Sequence, residues 1–180
     1  MRLLRPIQFA ATVSLFAVFT PPHRSQSRAG AALDDPTIVA IFDVANTADI
    51  ETGTLAESRG STVEVRAMGK RLREDHSAVR QQGRDLAKKL GVVPTPPNPN
   101  TYAADHARAM KALRAKSGKE FDRAFLDHEI AFHQAVIDAV TGALLPAIKN
   151  AELKALVEKV VPAFQSHLAM AKALKVQLQL

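Results

Sequence analysis

The chain has 180 residues, with 24 lysines and arginines against 18 aspartates and glutamates, and it has no cysteine. The missing cysteine excludes disulfides, thiolate metal sites, a cysteine nucleophile and a lipid-anchoring cysteine. The net charge of +6 belongs largely to the first 31 residues, which hold four arginines and no acid. The charge therefore does not indicate nucleic-acid binding.

The N-terminal segment has the pattern of a secretory signal. Arg2 and Arg5 precede a mostly apolar run at residues 7–19, and small residues follow at 29–32. The run is shorter than the about 20 apolar residues that span a bilayer. We predict a signal peptide over residues 1–31 and one helical domain over residues 32–180, exported or periplasmic, without a stable membrane span after cleavage. An uncleaved anchor or a buried N-terminal helix is the alternative.

The first helix is predicted from Asp34 to about residue 59, because Asp34 can cap free amides and Pro36 suits a first turn. Two stripes at helical spacing compete for its inner face. One contains Glu51 and the other contains Asp49. Either stripe would carry one carboxylate into the core.

The second helix is predicted over residues 62–90, opened by a capping box that starts at Ser61. Its apolar seam is unbroken except at His76, and Gly91 ends it. A proline-rich loop at residues 92–100 and a short helix over residues 102–116 follow. The loop and short helix are long enough to return along a helical bundle.

The last two long helices repeat this pattern of one histidine within an apolar seam. The helix predicted over residues 119–141 has a seam of four-and-three steps that includes His128. The helix predicted over residues 151–179 begins after Asn150, and its seam includes His167. Pro162 should kink or break this last helix.

No stretch of useful length alternates like a strand, so we predict an all-α fold. The four long helices, with a short helix in the connection between the second and third of them, match a ferritin-like four-helix bundle with an extra helix in the crossover.

One ligand-type side chain on each long helix is expected on an inward seam: Glu51 or Asp49, His76, His128 and His167. These ligand types suit iron, zinc, copper or manganese, and bundle cores hold such sites. The alternative is a hydrogen-bonded polar cluster without metal. Glu129 and His133, four residues apart, form either a further ligand pair or a simple contact.

Sharper catalytic motifs are absent from the sequence. Residues 128–133, HEIAFH, have one residue too many for the zinc-protease HExxH, and no Glu-x-x-His pair of the di-iron type occurs on the long helices. There is no phosphate-binding loop and no GxSxG. We therefore name no catalytic residue and no organic cofactor, and an oxidase activity of the metal is left open.

Four segments resemble a known family: residues 51–56 (ETGTLA), 68–76 (ending in Asp75-His76), 117–128 and 161–168 (VPAFQSHL). They are similar to the successive motifs of the domain-of-unknown-function 4142 family. The resemblance implies an exported bacterial protein, often labelled an outer-membrane protein, with a ferritin-like bundle. It also implies that the family's acid and three histidines fall on Glu51, His76, His128 and His167, which favours Glu51 over Asp49.

The sequence thus predicts an exported helical bundle that binds a transition metal such as iron, zinc or copper for storage, sensing or stress protection. The alternative function is a non-catalytic envelope or stress interaction module whose buried cluster only fixes helix register. The alternative predicts that His76→Leu is tolerated or stabilising. The sequence does not indicate an oligomeric state.

Overall fold

The structure is a computed structural model and describes residues 33–97 and 101–180. Over these ranges it contains five helices and no strand: α1 (Asp35–Arg59), α2 (Val63–Leu90), α3 (Tyr102–Arg114), α4 (Gly118–Ala139) and α5 (Ala151–Gln177). A π-helical turn, Val140–Leu144, and a short segment, Leu145–Ala147, extend α4. The all-α class is confirmed. The expected signal peptide, residues 1–31, lies outside the described residues.

Short polar side chains begin three of the long helices, as the sequence predicts. Asp34 caps α1 and Asn150 caps α5, each through a carboxylate or amide oxygen that accepts backbone N–H groups. The cap of α2 is Thr62, one residue later than expected, because the Ser61 hydroxyl instead donates to the Asp122 carboxylate. This contact joins the turn between α1 and α2 to the first turn of α4.

The α1–α2 pair is antiparallel and in backbone contact. A Cβ placed on Gly69 would lie 2.5 Å from the Glu57 amide nitrogen and 2.6 Å from the Gly53 carbonyl oxygen, so only glycine fits. Asn46 and His76 each lie seven residues, about two turns, from this crossing point, on the sides that face each other. The close crossing therefore fixes which polar groups of the two helices meet.

The four long helices enclose one interior: α1 packs on α2 and α4, and α5 packs on α4 and α2. The short helix α3 lies outside against α4 and α1. The interior contains two apolar clusters, one around Phe42, Leu153 and Phe164 and the other around Leu72 and Phe125. Along every long helix, buried polar residues lie between these two clusters. A polar layer thus crosses the middle of an otherwise apolar core.

Helix α4 turns the predicted seam toward the core only in its first half. Phe121 and Phe125 of that seam are buried, but further along the helix Glu129, His133 and Ile137 are buried while His128 is only partly buried. The prediction is wrong from His128 onward because α4 has two apolar stripes, and there the stripe through His128 lines an open groove instead of the core. By length and composition alone, Gly118–Ala147 is apolar enough to cross a membrane.

Pro162 lies inside α5 without breaking it. Of the eight predicted seam positions of this helix, the last, Leu178, is partly buried at the C-cap, and the other seven are buried: Leu153, Val157, Val160, Phe164, His167, Ala171 and Leu174. The apolar periodicity of this helix was therefore predicted correctly.

Candidate metal centre

Three imidazoles from three helices meet in the polar layer: His76 of α2, His133 of α4 and His167 of α5. Their side chains are no more than 2% exposed, and one ring nitrogen of each lies within 4.8 Å of one from each of the others. Their ring centroids are 5.1 to 5.6 Å apart. Phe164 stacks on His76 and closes one side.

Each imidazole has one nitrogen held by an oxygen that can only accept. The Nδ1 of His76 donates to Asn46 Oδ1 at 2.9 Å, and the orientation of that amide is fixed because its Nδ2 donates to a main-chain carbonyl. The Nδ1 of His133 donates to the Glu129 carbonyl oxygen at 3.1 Å, and the Nε2 of His167 donates to Asp75 at 2.9 Å. The other nitrogen of each neutral ring therefore carries a lone pair.

Two carboxyl groups adjoin the imidazoles. Ligand atoms of Asp49, Glu129 and His133 lie within 4.8 Å of one another, and an Asp49 oxygen is 3.5 Å from His76 Nε2. Burial, together with the Glu129 charge, raises the pKa of Asp49 well above its usual value. Burial opposes ionisation of Glu129 too, but the adjacent His133 outweighs it and the pKa of Glu129 is lowered. The two shifts therefore favour a proton on Asp49 and an ionised Glu129.

Burial favours the neutral form of two of the three histidines. Burial, reinforced by the imidazoles of His133 and His167, lowers the pKa of His76 to about 2. Burial also lowers the pKa of His167, although Asp75 acts in the opposite direction. At neutral pH these two rings thus offer lone pairs without first losing a proton.

Six buried side-chain atoms of the described residues have no hydrogen-bond partner, and all belong to this cluster: Asp49 Oδ1, His76 Nε2, Glu129 Oε1 and Oε2, His133 Nε2 and His167 Nδ1. Leaving such a group unsatisfied costs about 1 to 3 kcal/mol, and more when it is charged. Lone pairs and a carboxylate cannot satisfy one another, and the one hydroxyl of a protonated Asp49 can donate to only one of them. A cation held by the remaining groups would satisfy them.

The donor set fits a first-row transition metal. Imidazole nitrogens with a carboxylate bind zinc and iron, with metal–nitrogen bonds of about 2.0 to 2.1 Å, so tetrahedral ligand atoms lie about 3.4 Å apart. The observed limit of 4.8 Å requires only a small closure of the side chains. The held ring nitrogens match the outer hydrogen bonds that orient histidine ligands in metalloproteins.

Of the four residues expected to form the site, the structure brings together His76 and His167. Glu51 is exposed on α1 and lies 2.8 Å from His106 Nε2 of α3, whereas Asp49 of the competing stripe faces the cluster. His128 is partly buried on the groove side and stacks on Phe132 with ring centroids 5.8 Å apart. Asp49 and His133 take the inner positions because α1 and α4 are each rotated away from the stripe that the resemblance favoured.

Glu129 and His133, which the sequence offered only as a possible ligand pair or a simple contact, left a further signal in the sequence. They share a face of α4 with the large aliphatic residues Leu126 and Ile137, whereas the stripe through His128 continues into alanines, Ala135 and Ala139. Large branched side chains mark a packed interior more reliably than alanine does.

Fold and site together define an all-α protein with a buried histidine and carboxylate cluster that joins four helices. The family model described as Domain of unknown function (DUF4142) matches residues 20–174, and the chain belongs to this family. Comparison with curated proteins and with solved structures found no match.

Proposed function

We propose that this protein binds one transition-metal ion in its core through His76, His133 and His167, with Glu129 as the charged ligand and Asp49 beside it. The six unpartnered buried atoms of the cluster support this most directly. A bound divalent ion would also compensate the buried Glu129 carboxylate, whose burial alone costs several kcal/mol.

Iron and zinc fit this donor set best. Three imidazoles and carboxylate oxygens form a borderline set, whereas the thiolate or thioether ligands that favour copper(I) do not occur in it. We propose storage, sensing or stress protection as the role, because no residue of the cluster has the arrangement of a nucleophile and base. The ferritin-like arrangement and export from the cytoplasm belong to the same proposal, supported by the ring of long helices and by the N-terminal pattern.

Two histidines of α4 provide a matched test. Zinc or ferrous iron at 100 times its dissociation constant should stabilise the fold by about 2.7 kcal/mol, which raises the melting temperature by about 5 to 10 °C. His133→Ala should abolish this rise. His128→Ala, five residues earlier on the same helix, should retain it because His128 faces the groove.

The proposal is wrong if neither ion shifts melting of the wild type, or if the two variants respond alike. The competing interpretation is an interaction module whose cluster is purely structural. It would be supported if His76→Leu stabilised the protein while neither ion shifted melting of the wild type, since an apolar side chain could then replace the ring without loss of metal binding.

A further inference from the structure

A groove of about 1150 Å³ lies between α1, α3 and α4, and residues of α2, including Arg80, and of α5 also line it. Small-molecule sites commonly measure about 300 to 1,000 Å³. Its walls are mainly apolar, with Ile41 and Val44 from α1 and Phe132 and Val136 from α4. Along α1 the lining extends over ten residues, which is about 15 Å at 1.5 Å per residue. The groove is therefore long enough for an extended hydrocarbon chain.

The outward stripe of α4 explains why the groove is apolar. Ala135 and Ala139 are exposed and Phe132 and Val136 are half-buried, although all four line the groove. Covering such a stripe releases about 25 cal/mol for each Å² of apolar surface removed from water. A ligand that lay along α4 would gain this free energy.

The groove is lined by four carboxylates and four cations; every carboxylate has a partner, whereas three of the cations have no acidic partner in the described part of the chain. Each lining carboxylate already faces a cation or an imidazole, as for Asp43 with Arg84 at 2.5 Å and Glu51 with His106 at 2.8 Å. Asp49 faces His76, and Asp105 faces Arg108. Among the residues that the structure describes, the lining cations Arg80, Lys111 and Arg114 have no acidic partner within the 4.0 Å of an ion pair.

Arg80 is the best placed of these cations. Its side chain is half-buried, and its Nη1 donates to the Thr47 hydroxyl at 3.2 Å, which holds the guanidinium at the wall of the groove. Its remaining N–H groups are available, and a guanidinium binds a carboxylate through two parallel hydrogen bonds. Lys111 and Arg114, on α3, add attraction for an anion.

We propose that this groove binds one long-chain fatty acid, with its hydrocarbon chain along the apolar stripe of α4 and its carboxylate on Arg80. The occupant is an anionic amphiphile because an apolar wall and an unpaired guanidinium occur in the same groove. Asp49 and His76 of the cluster also line the groove, but the proposal does not depend on the metal, since the apolar stripe of α4 and Arg80 lie outside the cluster.

The test uses the full chain, with oleate and oleyl alcohol as probes that share one hydrocarbon chain and differ in charge. One oleate should bind per chain, at least tenfold more tightly than oleyl alcohol. Arg80→Gln should remove this preference, while Arg123→Gln, on the exposed surface of α4 away from the groove, should keep it. Ala135→Phe should weaken oleate binding at least tenfold, and Ala131→Phe, one turn earlier and outside the groove, should not.

Four results would each overturn the proposal. The first two are equal affinities for oleate and oleyl alcohol, and equal effects of Ala135→Phe and Ala131→Phe on oleate binding. The third is a groove covered by a second copy of the chain. The fourth is binding to phosphatidylglycerol vesicles without uptake of free oleate. A covering copy would appear as a dimer that Ala135→Phe dissociates and that takes up no oleate. His133→Ala should bind oleate like the wild type, so failure of the metal proposal would be seen separately.

Discussion

Acidification should destabilise the metal-free protein through His76, most clearly in an Asp49→Asn background. The pKa of His76 is lowered by burial from 6.5 to about 2, so below pH 6.5 the unfolded chain binds a proton that the folded chain does not. Stability therefore falls as the pH falls across this window. The lowered pKa of His167 and that of His128, both caused mainly by burial, act in the same direction.

Asp49 acts in the opposite direction, which is why it is replaced. Because its pKa is raised by burial and by Glu129, the folded state keeps a proton that the unfolded state loses above pH 3.8. The stabilisation that comes from the proton on Asp49 is lost as the pH rises and regained as the pH falls. Acidification of the wild type would therefore mask the destabilisation caused by His76. Asparagine has nearly the shape of the protonated acid and does not titrate.

The loss of unfolding free energy caused by His76 depends only on its pKa in the unfolded state, provided that its pKa in the folded state lies below the lowest pH measured. Between pH 7 and pH 4.5 the His76 contribution covers about two pH units at 1.36 kcal/mol each, or about 2.7 kcal/mol. Urea unfolding followed by circular dichroism, with a chelator present, measures it. Asp49→Asn combined with His76→Asn is the control and should lose about 2.7 kcal/mol less over the same range. Equal losses in the two proteins would refute the buried, neutral state of His76.

Three further substitutions test the packing and the outer contacts of the cluster. Gly69→Ala should destabilise the fold by about 1 to 3 kcal/mol in urea unfolding, because its Cβ meets the α1 backbone. Gly142→Ala, whose Cβ would meet nothing within 4 Å apart from its own local backbone, should be neutral or stabilising, and the reverse order would contradict the backbone contact. Asp75→Ala should weaken zinc affinity by about 10- to 100-fold in a competition titration, because it frees the His167 ring, and the adjacent Glu74→Ala should not. Glu51→Gln removes only an exposed ion pair, so it should change the unfolding free energy by no more than about 1 kcal/mol and leave zinc affinity intact; a lost zinc response would return Glu51 to the site.

The sequence predicted the helices well because their ends carry local signals. Asp34 and Asn150 begin their helices by accepting hydrogen bonds from nearby backbone N–H groups, and Gly91 ends α2 in a conformation with positive φ. In α2 and α5, which each have a single apolar stripe, the burial of His76 and His167 was also predicted correctly. A single dominant stripe leaves only one way to turn a helix toward the core.

The faces of α1 and α4 could not be predicted in the same way, because each helix has two apolar stripes. On α1 the choice depends on the Gly53–Gly69 contact, which turns Asp49 inward and Glu51 outward. On α4 the second stripe lines a groove, and apolar periodicity does not distinguish a groove wall from a core. The exchange of His128 for His133 follows from that ambiguity.

The position of a bound metal tests the central claim most directly. Crystals of the full chain grown with zinc or ferrous iron, measured at the absorption edge of that metal, should show one anomalous peak within about 2.0 to 2.3 Å of ring nitrogens of His76, His133 and His167. A Glu129 oxygen should complete the coordination. No peak in the core, or a peak at Glu51 or His128, would contradict the account.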